Sequence, residues 1–268
     1  MASFKNKVVV ITGGSEGIGK ALVETFLQKG ARVATCGRNF DKLYELQTRF
    51  SNKPLMTHTA DVSRESDCHQ FIQKVIKVYG SIDILINNAG ISMRAMFEQT
   101  ELETLRKLMD INFWGAVYCT KFALPFIIEN KGTIAGISSI AGFRGLPGRS
   151  GYSASKFALN GWLESIRTEL ADTGVHVLTA CPGFTASNIR KVALNKDAKP
   201  EAESLMKEEK MMSASECAGH IFKAIEQRKR TLILTNQGKE AVWLNRLWPA
   251  LADKLIHKFY FKEGNLIK

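Results

Sequence analysis

The sequence predicts an α/β fold in which helices cover both faces of a doubly wound parallel sheet. Short β-branched runs alternate with amphipathic stretches, a glycine-rich turn directly follows the first run, and no internal repeat interrupts the alternation. Parallel strands need crossover connections of a dozen or more residues, and the stretches between the runs, of about 10 to 25 residues, are long enough to be helices.

Seven runs are strand candidates and predict a seven-stranded sheet. They are Val8 to Ile11, Arg32 to Thr35, Leu55 to Thr59, Ile82 to Ile86, Gly132 to Ile137, Val175 to Ala180 and Thr231 to Leu234. The segment from Phe184 to Met212 breaks the rhythm, because it is rich in lysine, glutamate and methionine and carries no strand pattern. We interpret it as a substrate-binding lid, with a plain surface insertion as the alternative.

The C-terminal tail, from Lys239 to Phe261, has helical spacing with its apolar residues on one stripe. Pro249 should divide it into two helices, the first ending near Trp248. Aromatic residues beside lysines could make the tail an interfacial helix on anionic lipid. It could equally pack on the body of the protein or on a second subunit, and we favour packing because amphipathic stripes are usually buried.

The composition predicts one globular domain spanning residues 1–268, since 45% of the residues are hydrophobic and 24% are charged. No run reaches the roughly 18 consecutive apolar residues of a membrane span. Met1 to Lys7 lacks the apolar stretch of a secretory signal, so we expect a cytoplasmic protein. The five cysteines are odd in number and far apart, which predicts packing roles and neither a disulfide framework nor a metal site.

The formal net charge of +11 raises the question of a nucleic-acid partner. The basic residues are scattered, and the dense run at Arg228 to Arg230 is accompanied by no recognition-helix or base-stacking motif. We therefore predict no nucleic-acid binding. A phosphorylated dinucleotide, or an anionic membrane met by the tail, would be attracted by the same charge.

The glycine-rich turn Thr12 to Gly19 connects the first strand to a helix. Glycines permit a tight turn and let the backbone amides of a helix N-terminus approach a pyrophosphate. A flexible loop is the alternative, but the position directly after the first strand favours dinucleotide binding in a Rossmann fold.

The end of the second strand distinguishes between dinucleotides. A carboxylate there would bind the ribose 2′-hydroxyl of NAD, whereas arginine suits the 2′-phosphate of NADP. The sequence has Arg38 and Asn39, with no acidic residue before Asp41. This pattern favours NADP(H) over NAD, and the Ser15 hydroxyl could contact the same phosphate. Glu16 is a contrary sign.

Tyr152 and Lys156 are four residues apart, which places a phenol and an ammonium on one face of a helix. A nearby cation stabilises the phenolate and so lowers the pKa of a tyrosine toward neutrality. Ser139 lies upstream at the end of an apolar run. Such a tyrosine could donate or accept a proton near neutral pH.

Together these motifs resemble the short-chain dehydrogenase/reductase family from about Lys7 to Leu234. The resemblance implies hydride transfer between a nicotinamide and a carbonyl or alcohol, with Asn112, Ser139, Tyr152 and Lys156 as the catalytic tetrad. The residues implied to bind the cofactor are Gly13, Ser15, Gly17, Ile18, Gly19, Arg38, Asn39, Asp61, Val62, Asn88, Ala89, Gly90, Tyr152, Lys156, Pro182, Gly183, Thr185 and Ser187. The threonine that usually binds the carboxamide is replaced by Ser187.

The family also implies a role for each catalytic residue. Ser139 and Tyr152 would contact the substrate, Ser139 by holding its carbonyl oxygen and Tyr152 by protonating the developing alkoxide. Lys156 would lower the Tyr152 pKa and bind the nicotinamide ribose, and Asn112 would anchor a water that connects Lys156 to solvent.

The stretch Asn87 to Arg94 and the tail resemble the membrane-associated, hydroxysteroid dehydrogenase-like subgroup. This implies an apolar, lipid-like or steroid-like substrate. A non-catalytic NADP-binding sensor of the same fold is the alternative, although such proteins often lose a member of the tetrad. By analogy, helices around Glu101 to Glu129 and Tyr152 to Thr173 would form the interfaces of a homodimer or homotetramer.

Overall fold

The computed structural model describes residues 4–185, 189, 192–199, 211–262 and 265–266. Seven strands form one sheet in which every pairing is parallel, in the order β3-β2-β1-β4-β5-β6-β7. The strands are β1 Val8–Thr12, β2 Arg32–Gly37, β3 Leu55–Thr59, β4 Ile84–Asn87, β5 Thr133–Ile137, β6 His176–Cys181 and β7 Thr231–Ile233. The predicted seven-stranded parallel sheet is confirmed.

Helices connect the strands and cover both faces of the sheet. They are α1 Gly17–Gln28, α2 Phe40–Arg49, α3 Glu65–Tyr79, α4 Leu102–Met109, α5 Gly115–Glu129, α6 Ser150–Glu169, α7 Ala214–Glu226, α8 Asn236–Leu247 and α9 Pro249–Tyr260. After α9, Phe261–Lys262 pairs with Asn265–Leu266 in a short antiparallel hairpin. In the predicted lid, isolated bridges join Met93 with Leu194 and Thr185 with Met212. Residues 186–188, 190–191 and 200–210 of the lid lie outside the described residues.

Alternate residues of each strand pack into cores on opposite faces of the sheet. In β1, Val8 and Val10 belong to the core under α3 to α6, whereas Val9 and Ile11 belong to the core under α1 and α7. All of β1 is buried, as expected for a strand that is covered on both faces. The β-branched runs that predicted the strands are therefore the runs that fill both cores.

The fourth strand begins two residues later than predicted. Asp83 lies just before the strand, where its carboxylate accepts hydrogen bonds from the Val8 amide at 2.8 Å and the Lys7 ammonium at 2.7 Å. This side chain ties the entry of β4 to the entry of β1. An apolar pattern could locate the strand but not this contact, since Asp83 and Val8 are far apart in sequence.

The strand order reverses between β1 and β4, because the chain builds β2 and β3 on one side and β5 to β7 on the other. In open α/β sheets the crevice at the carboxyl ends of the strands on either side of this reversal is the usual ligand site. Gly13 follows β1 and Asn88 follows β4, so the glycine turn lies at this crevice.

The helical stretch Leu102–Glu129 is long and apolar enough to cross a membrane by length and composition. Its residues Leu108, Cys119, Ala123 and Ile127 are nonetheless buried in the core that lies under α3 to α6. A helix that covers one face of a parallel sheet buries apolar side chains away from water, so its composition can be as apolar as that of a membrane helix. We therefore assign the stretch to the core.

Pro249 divides the tail as predicted. Helix α8 ends at Leu247, and Pro249 is the first residue of α9, where its missing N–H costs no helical hydrogen bond. The buried residues are Gly238 in α8 and Ala252 and Tyr260 in α9. Val242, Leu244 and Ile256 are half-buried. Six large apolar side chains of the tail are exposed by 42 to 63%, and they are Trp243, Leu247, Trp248, Leu251, Leu255 and Phe259.

Candidate active site

The glycine turn makes a close backbone crossing at the end of β1. Gly13 and Gly17 have φ values of +69° and +53°, which side chains disfavour. A Cβ on Gly19 would lie 2.1 Å from the Gly13 carbonyl oxygen. Helix α1 begins at Gly17 without a side-chain cap. The turn therefore offers the backbone amides of a helix N-terminus to the cavity, as a bound pyrophosphate requires.

Asn88 and Thr12 hold this turn against the end of β4. The Asn88 amide nitrogen donates to the carbonyl oxygens of Thr12 and Gly13 at 2.9 and 3.1 Å. The Thr12 hydroxyl accepts from the backbone amides of Asn88 and Ala89, both at 3.0 Å. Asn88 therefore shapes the cofactor turn through its side chain.

The predicted 2′-phosphate position lies at the end of β2. Arg38 is exposed and lines the cavity together with Ser15. Asn39 caps α2, because its side-chain oxygen accepts from the Lys42 amide at 2.9 Å. Sequence reasoning missed Lys42, which also lines the cavity and forms an ion pair with Glu16 at 2.5 Å. This pair neutralises Glu16, the residue whose charge was a sign against NADP.

The predicted cofactor residues Asp61 and Val62 also line the cavity. The Asp61 carboxylate accepts from the Ser63 amide and hydroxyl at 3.0 and 2.8 Å, which orders the loop after β3. Val62 is buried against Gly115, where a Cβ would lie 2.8 Å from a Val62 methyl group.

Tyr152, Lys156 and Ser139 line the same cavity, which has a volume of about 1070 Å³. Tyr152 and Lys156 lie on α6, and the Lys156 ammonium is 5.8 Å from the centre of the Tyr152 ring. Ser139 follows β5, where its hydroxyl oxygen accepts from the Ala141 amide at 3.2 Å. The structure thus brings the predicted acid, cation and hydroxyl group together.

Lys156 is 3% exposed, and its ammonium donates to the Ile137 carbonyl oxygen at 2.9 Å. Burial lowers the pKa of Lys156 from 10.5 to about 8, and the nearby Cys181 opposes this shift. Desolvation disfavours the charged form of any buried amine. The ammonium therefore titrates close to physiological pH.

Asn112 lies behind the cavity and not on its surface. It is buried in a π-helical turn, Asp110–Trp114, between α4 and α5. Its side chain accepts from the Ile91 amide at 2.8 Å and donates to the Ile91 carbonyl at 2.9 Å and the Ser155 hydroxyl at 2.9 Å. A Cβ on Gly90 would lie 3.1 Å from the Asn112 oxygen and 3.4 Å from the Lys156 nitrogen. A side chain at this position would therefore crowd both Asn112 and Lys156.

The segment after β6 completes the cavity. Pro182, Gly183 and Thr185 line it, and the Thr185 hydroxyl donates to the Gly183 carbonyl at 3.3 Å. Ser187 lies outside the described residues. All the other predicted cofactor residues line this cavity, and they are Gly13, Ser15, Gly17, Ile18, Gly19, Arg38, Asn39, Asp61, Val62, Asn88, Ala89, Gly90, Tyr152 and Lys156.

The C-terminal helices form a further part of the cavity wall that sequence reasoning did not place there. The lining side chains of the tail include Trp243, Leu244, Trp248, Leu255, Ile256 and Phe259. Arg144 and Arg149 line the cavity as well. The amphipathic stripe identified the apolar face of the tail, but nothing in the sequence pattern indicates that the face lies against this cavity.

Comparisons with known proteins show which family the chain resembles. Residues 7–198 match the model of the family described as short chain dehydrogenase. The chain is 33% identical over 270 residues to dehydrogenase/reductase SDR family member 7B of Mus musculus, covering 98% of this chain and 84% of that protein. It is also 33% identical over 270 residues to 11-beta-hydroxysteroid dehydrogenase-like 2 of Arabidopsis thaliana, covering 96% and 85%.

Two solved structures have the same fold. One is a short chain dehydrogenase/reductase from Burkholderia phymatum in complex with NAD, with a TM-score of 0.84, 21% identity and coverage of 94% of this chain and 96% of that chain. The other is a short-chain dehydrogenase from Streptomyces avermitilis, with a TM-score of 0.81, 25% identity and coverage of 95% and 97%.

Proposed function

The chain belongs to the short-chain dehydrogenase/reductase family, and we propose that it is an NADP(H)-dependent oxidoreductase acting on a carbonyl or secondary alcohol of an apolar, lipid-like or steroid-like substrate. The observation that carries this proposal is that Ser139, Tyr152 and Lys156 line one cavity with the glycine turn. When bound, the nicotinamide would supply or accept the hydride.

In the direction of reduction, Tyr152 donates its phenolic proton to the substrate oxygen. Ser139 donates a hydrogen bond to the same oxygen and holds it near Tyr152. Both residues border the cavity, and Tyr152 is 8% exposed, so the proton passes to the substrate in a site largely shielded from bulk water.

Lys156 supports this step through its charge. In its protonated form the ammonium favours the phenolate of Tyr152 and so makes the phenol a better acid. Because burial lowers the pKa of Lys156 to about 8, its own proton can exchange in the range where the enzyme works. Asn112 bonds to the backbone of Ile91 and to the Ser155 hydroxyl, and so joins the segment after β4 to the helix that carries Lys156.

Arg38 supports the preference for NADP(H). It is an exposed cation at the end of β2, and guanidinium suits phosphate geometry. The ion pair with Lys42 offsets the repulsion that Glu16 would exert on a 2′-phosphate. The substrate class is supported by the apolar side chains of the tail that line the cavity and by the names of the relatives.

The test is a fluorescence titration with NADPH and NADH, followed by turnover assays with carbonyls from small aldehydes to steroid and long-chain ketones. We expect tighter binding of NADPH, and we expect Arg38→Ala to lower the NADPH affinity by about tenfold while the NADH affinity changes little. NADH preference in the wild type would overturn the cofactor assignment. Tight NADPH binding without any turnover would instead favour the non-catalytic sensor.

We also propose that the protein is cytoplasmic and contacts membranes peripherally through its tail. Leu247 and Leu251 are 52% and 47% exposed and do not line the cavity, and the exposed Lys254 and Lys258 lie on α9. Apolar residues beside basic ones suit an anionic lipid surface.

Sedimentation with vesicles of phosphatidylcholine and phosphatidylserine tests this contact. We expect Leu247→Glu to lower vesicle binding. The matched control is Val78→Glu, which changes a residue that is 54% exposed on α3 and should bind as the wild type does. Equal binding by both variants would rule out the tail as the contact.

A further inference from the structure

One arginine connects the loop that follows Ser139 to both C-terminal helices. The Arg144 guanidinium donates to the Asn245 side-chain oxygen in α8 at 2.8 Å and forms an ion pair with Asp253 in α9. The Asn245 amide in turn donates to the Phe143 carbonyl at 3.1 Å. The Arg144 side chain is 17% exposed and that of Asp253 is 66% exposed, so the ion pair is open to solvent on its carboxylate side and the bond to Asn245 is the more shielded of the two.

Helix α8 also approaches this loop closely. A Cβ on Gly238 would lie 2.7 Å from the Ile140 side chain, and Ile140 directly follows Ser139. On the other side, Thr235 caps α8, and a Cβ on Gly183 would lie 2.5 Å from the Thr235 hydroxyl. The start of α8 is therefore wedged between the loop after β5 and the loop after β6, which both border the catalytic residues.

Little apolar burial holds the remainder of the tail. The buried residues of the two helices are Gly238, Ala252 and Tyr260, whereas Trp243 and Trp248 are more than 60% exposed. Segments with few buried apolar contacts open at low free energy. The polar contacts of Arg144 are thus one of the attachments that hold both helices of the tail to the loop after β5.

The proposed reaction steps do not use the apolar side chains that the tail contributes to the cavity wall. Trp243, Leu244, Leu255 and Phe259 are carbon-rich and border the cavity that contains Tyr152. A substrate whose carbonyl lies at Ser139 and Tyr152 would contact these side chains only if it extends well beyond the carbonyl.

We propose that Arg144 is a positioning residue that determines substrate specificity. By binding Asn245 and Asp253, it holds α8 and α9 against the catalytic loop as the wall that receives the apolar end of the substrate. The proposal rests on the proposed carbonyl reduction for its kinetic readout. It also has a structural readout that needs no turnover.

The experiment uses three variants, which are Arg144→Met, Asp253→Asn and the double variant that combines these two changes. Each is compared with the control variant Arg246→Met. Arg246 is the matched control, because it is an exposed arginine next to Asn245 on α8 and does not line the cavity. The substrates are 2-butanone and 2-dodecanone, which share the reacting group and differ in the length of the apolar chain.

We expect Arg144→Met to raise KM for 2-dodecanone by at least about fivefold with kcat nearly unchanged, and to leave KM for 2-butanone within about twofold. NADPH affinity should stay the same. Asp253→Asn should also raise KM for 2-dodecanone. The double variant should have the same KM as Arg144→Met, since both changes break the same ion pair. Equal effects on the two ketones, or no effect on either, would overturn the proposal.

Hydrogen exchange without substrate separates the failure of this proposal from that of the proposed function. The amides of α8 and α9 should exchange faster in Arg144→Met than in Arg246→Met, and unchanged exchange would contradict the proposal. If the wild type reduces no ketone, the proposed function fails but Nile red binding still tests the wall. A weaker affinity in Arg144→Met alone would support it, and equal affinities would overturn it.

Discussion

Lys156 is a charged side chain that the fold buries at the edge of the reaction site, and this has a consequence for stability. Burial lowers its pKa from 10.5 to about 8, so between these pH values the unfolded chain binds a proton that the folded chain does not. Stability from this group must therefore rise with pH in that window, by at most about 1.4 kcal/mol per pH unit.

Lys156→Met should remove this pH dependence, because methionine does not titrate. Between pH 8 and 10, we expect the free energy of unfolding of the wild type to rise by about 2 kcal/mol relative to that of the variant. Urea denaturation at several pH values measures the difference. Parallel profiles for the two proteins would show that Lys156 is not desolvated in the folded state.

Tyr152 is the proposed acid, and its hydroxyl is the group on which the reaction depends. Tyr152→Phe should lower kcat by at least about a thousandfold while NADPH affinity changes little, since the ring remains to fill its place. Steady-state kinetics and fluorescence titration measure the two effects. Tyr44→Phe on α2, 61% exposed and outside the cavity, is the control and should keep full activity. Substantial turnover by Tyr152→Phe would refute the assignment.

At the scale of elements, the connection from β1 to α1 depends on the absence of a side chain at Gly19. A Cβ there would lie 2.1 Å from the Gly13 oxygen and 2.9 Å from its carbonyl carbon, and both atoms belong to backbone that cannot move aside cheaply. Asn88 additionally ties this backbone to the end of β4. The turn is thus rigid and closely packed before any cofactor binds.

Gly19→Ala should therefore lower the free energy of unfolding by at least about 2 kcal/mol and weaken NADPH binding. The control is Gly161→Ala in α6, where a Cβ would meet nothing within 4 Å. Alanine is the better helix former, so this variant should be neutral or more stable by up to about 1 kcal/mol. Chemical denaturation measures both, and equal stability of the two variants would contradict the tight crossing.

The helical stretch before α5 contains a π-helical turn that positions Asn112. Its π-helical turn contains one residue more than an α-helical turn would, and Asn112 lies in it. The side-chain amide of Asn112 bonds to Ile91, which follows β4, and to Ser155, which lies on α6. Asn112 therefore links two elements of the site without reaching the cavity surface.

At the scale of the whole molecule, exposed aromatic residues lie on α6 and on the π-helical turn that leads into α5. Trp114 and Phe157 are 43% and 46% exposed, and Trp114 stacks with Tyr118. Large apolar groups on a helical surface often mark an interface. We propose that this face forms the contact of a homodimer or homotetramer, as the family resemblance implied.

Phe157→Glu should then dissociate the assembly, because a buried unpaired charge costs several kcal/mol at an interface. Sedimentation velocity at matched concentrations should show an oligomeric wild type and a monomeric variant. Tyr44→Glu, at an exposed site on α2, should behave as the wild type. A monomeric wild type would remove the proposed interface.

The parts of the site that sequence analysis could identify are those with short-range signatures. The spacing of Tyr152 and Lys156 depends only on helix geometry, and the glycine turn depends on the strand before it and the helix after it. Arg38 could be identified because, in a Rossmann fold, the residue at the end of the second strand contacts the 2′ position of the adenosine ribose. In the structure, all three features lie at the cavity where the strand order reverses.

The sequence by itself therefore determined the parallel sheet, its two cores and the residues expected to carry out the reaction, because periodicity and local spacing encode them. Only the tertiary structure decided where the tail lies and how it is held. Arg144 bonds to residues 101 and 109 positions away, and Lys42 pairs with a glutamate 26 positions away. Contacts between such distant residues depend on how the elements pack, and no local pattern in the chain records them.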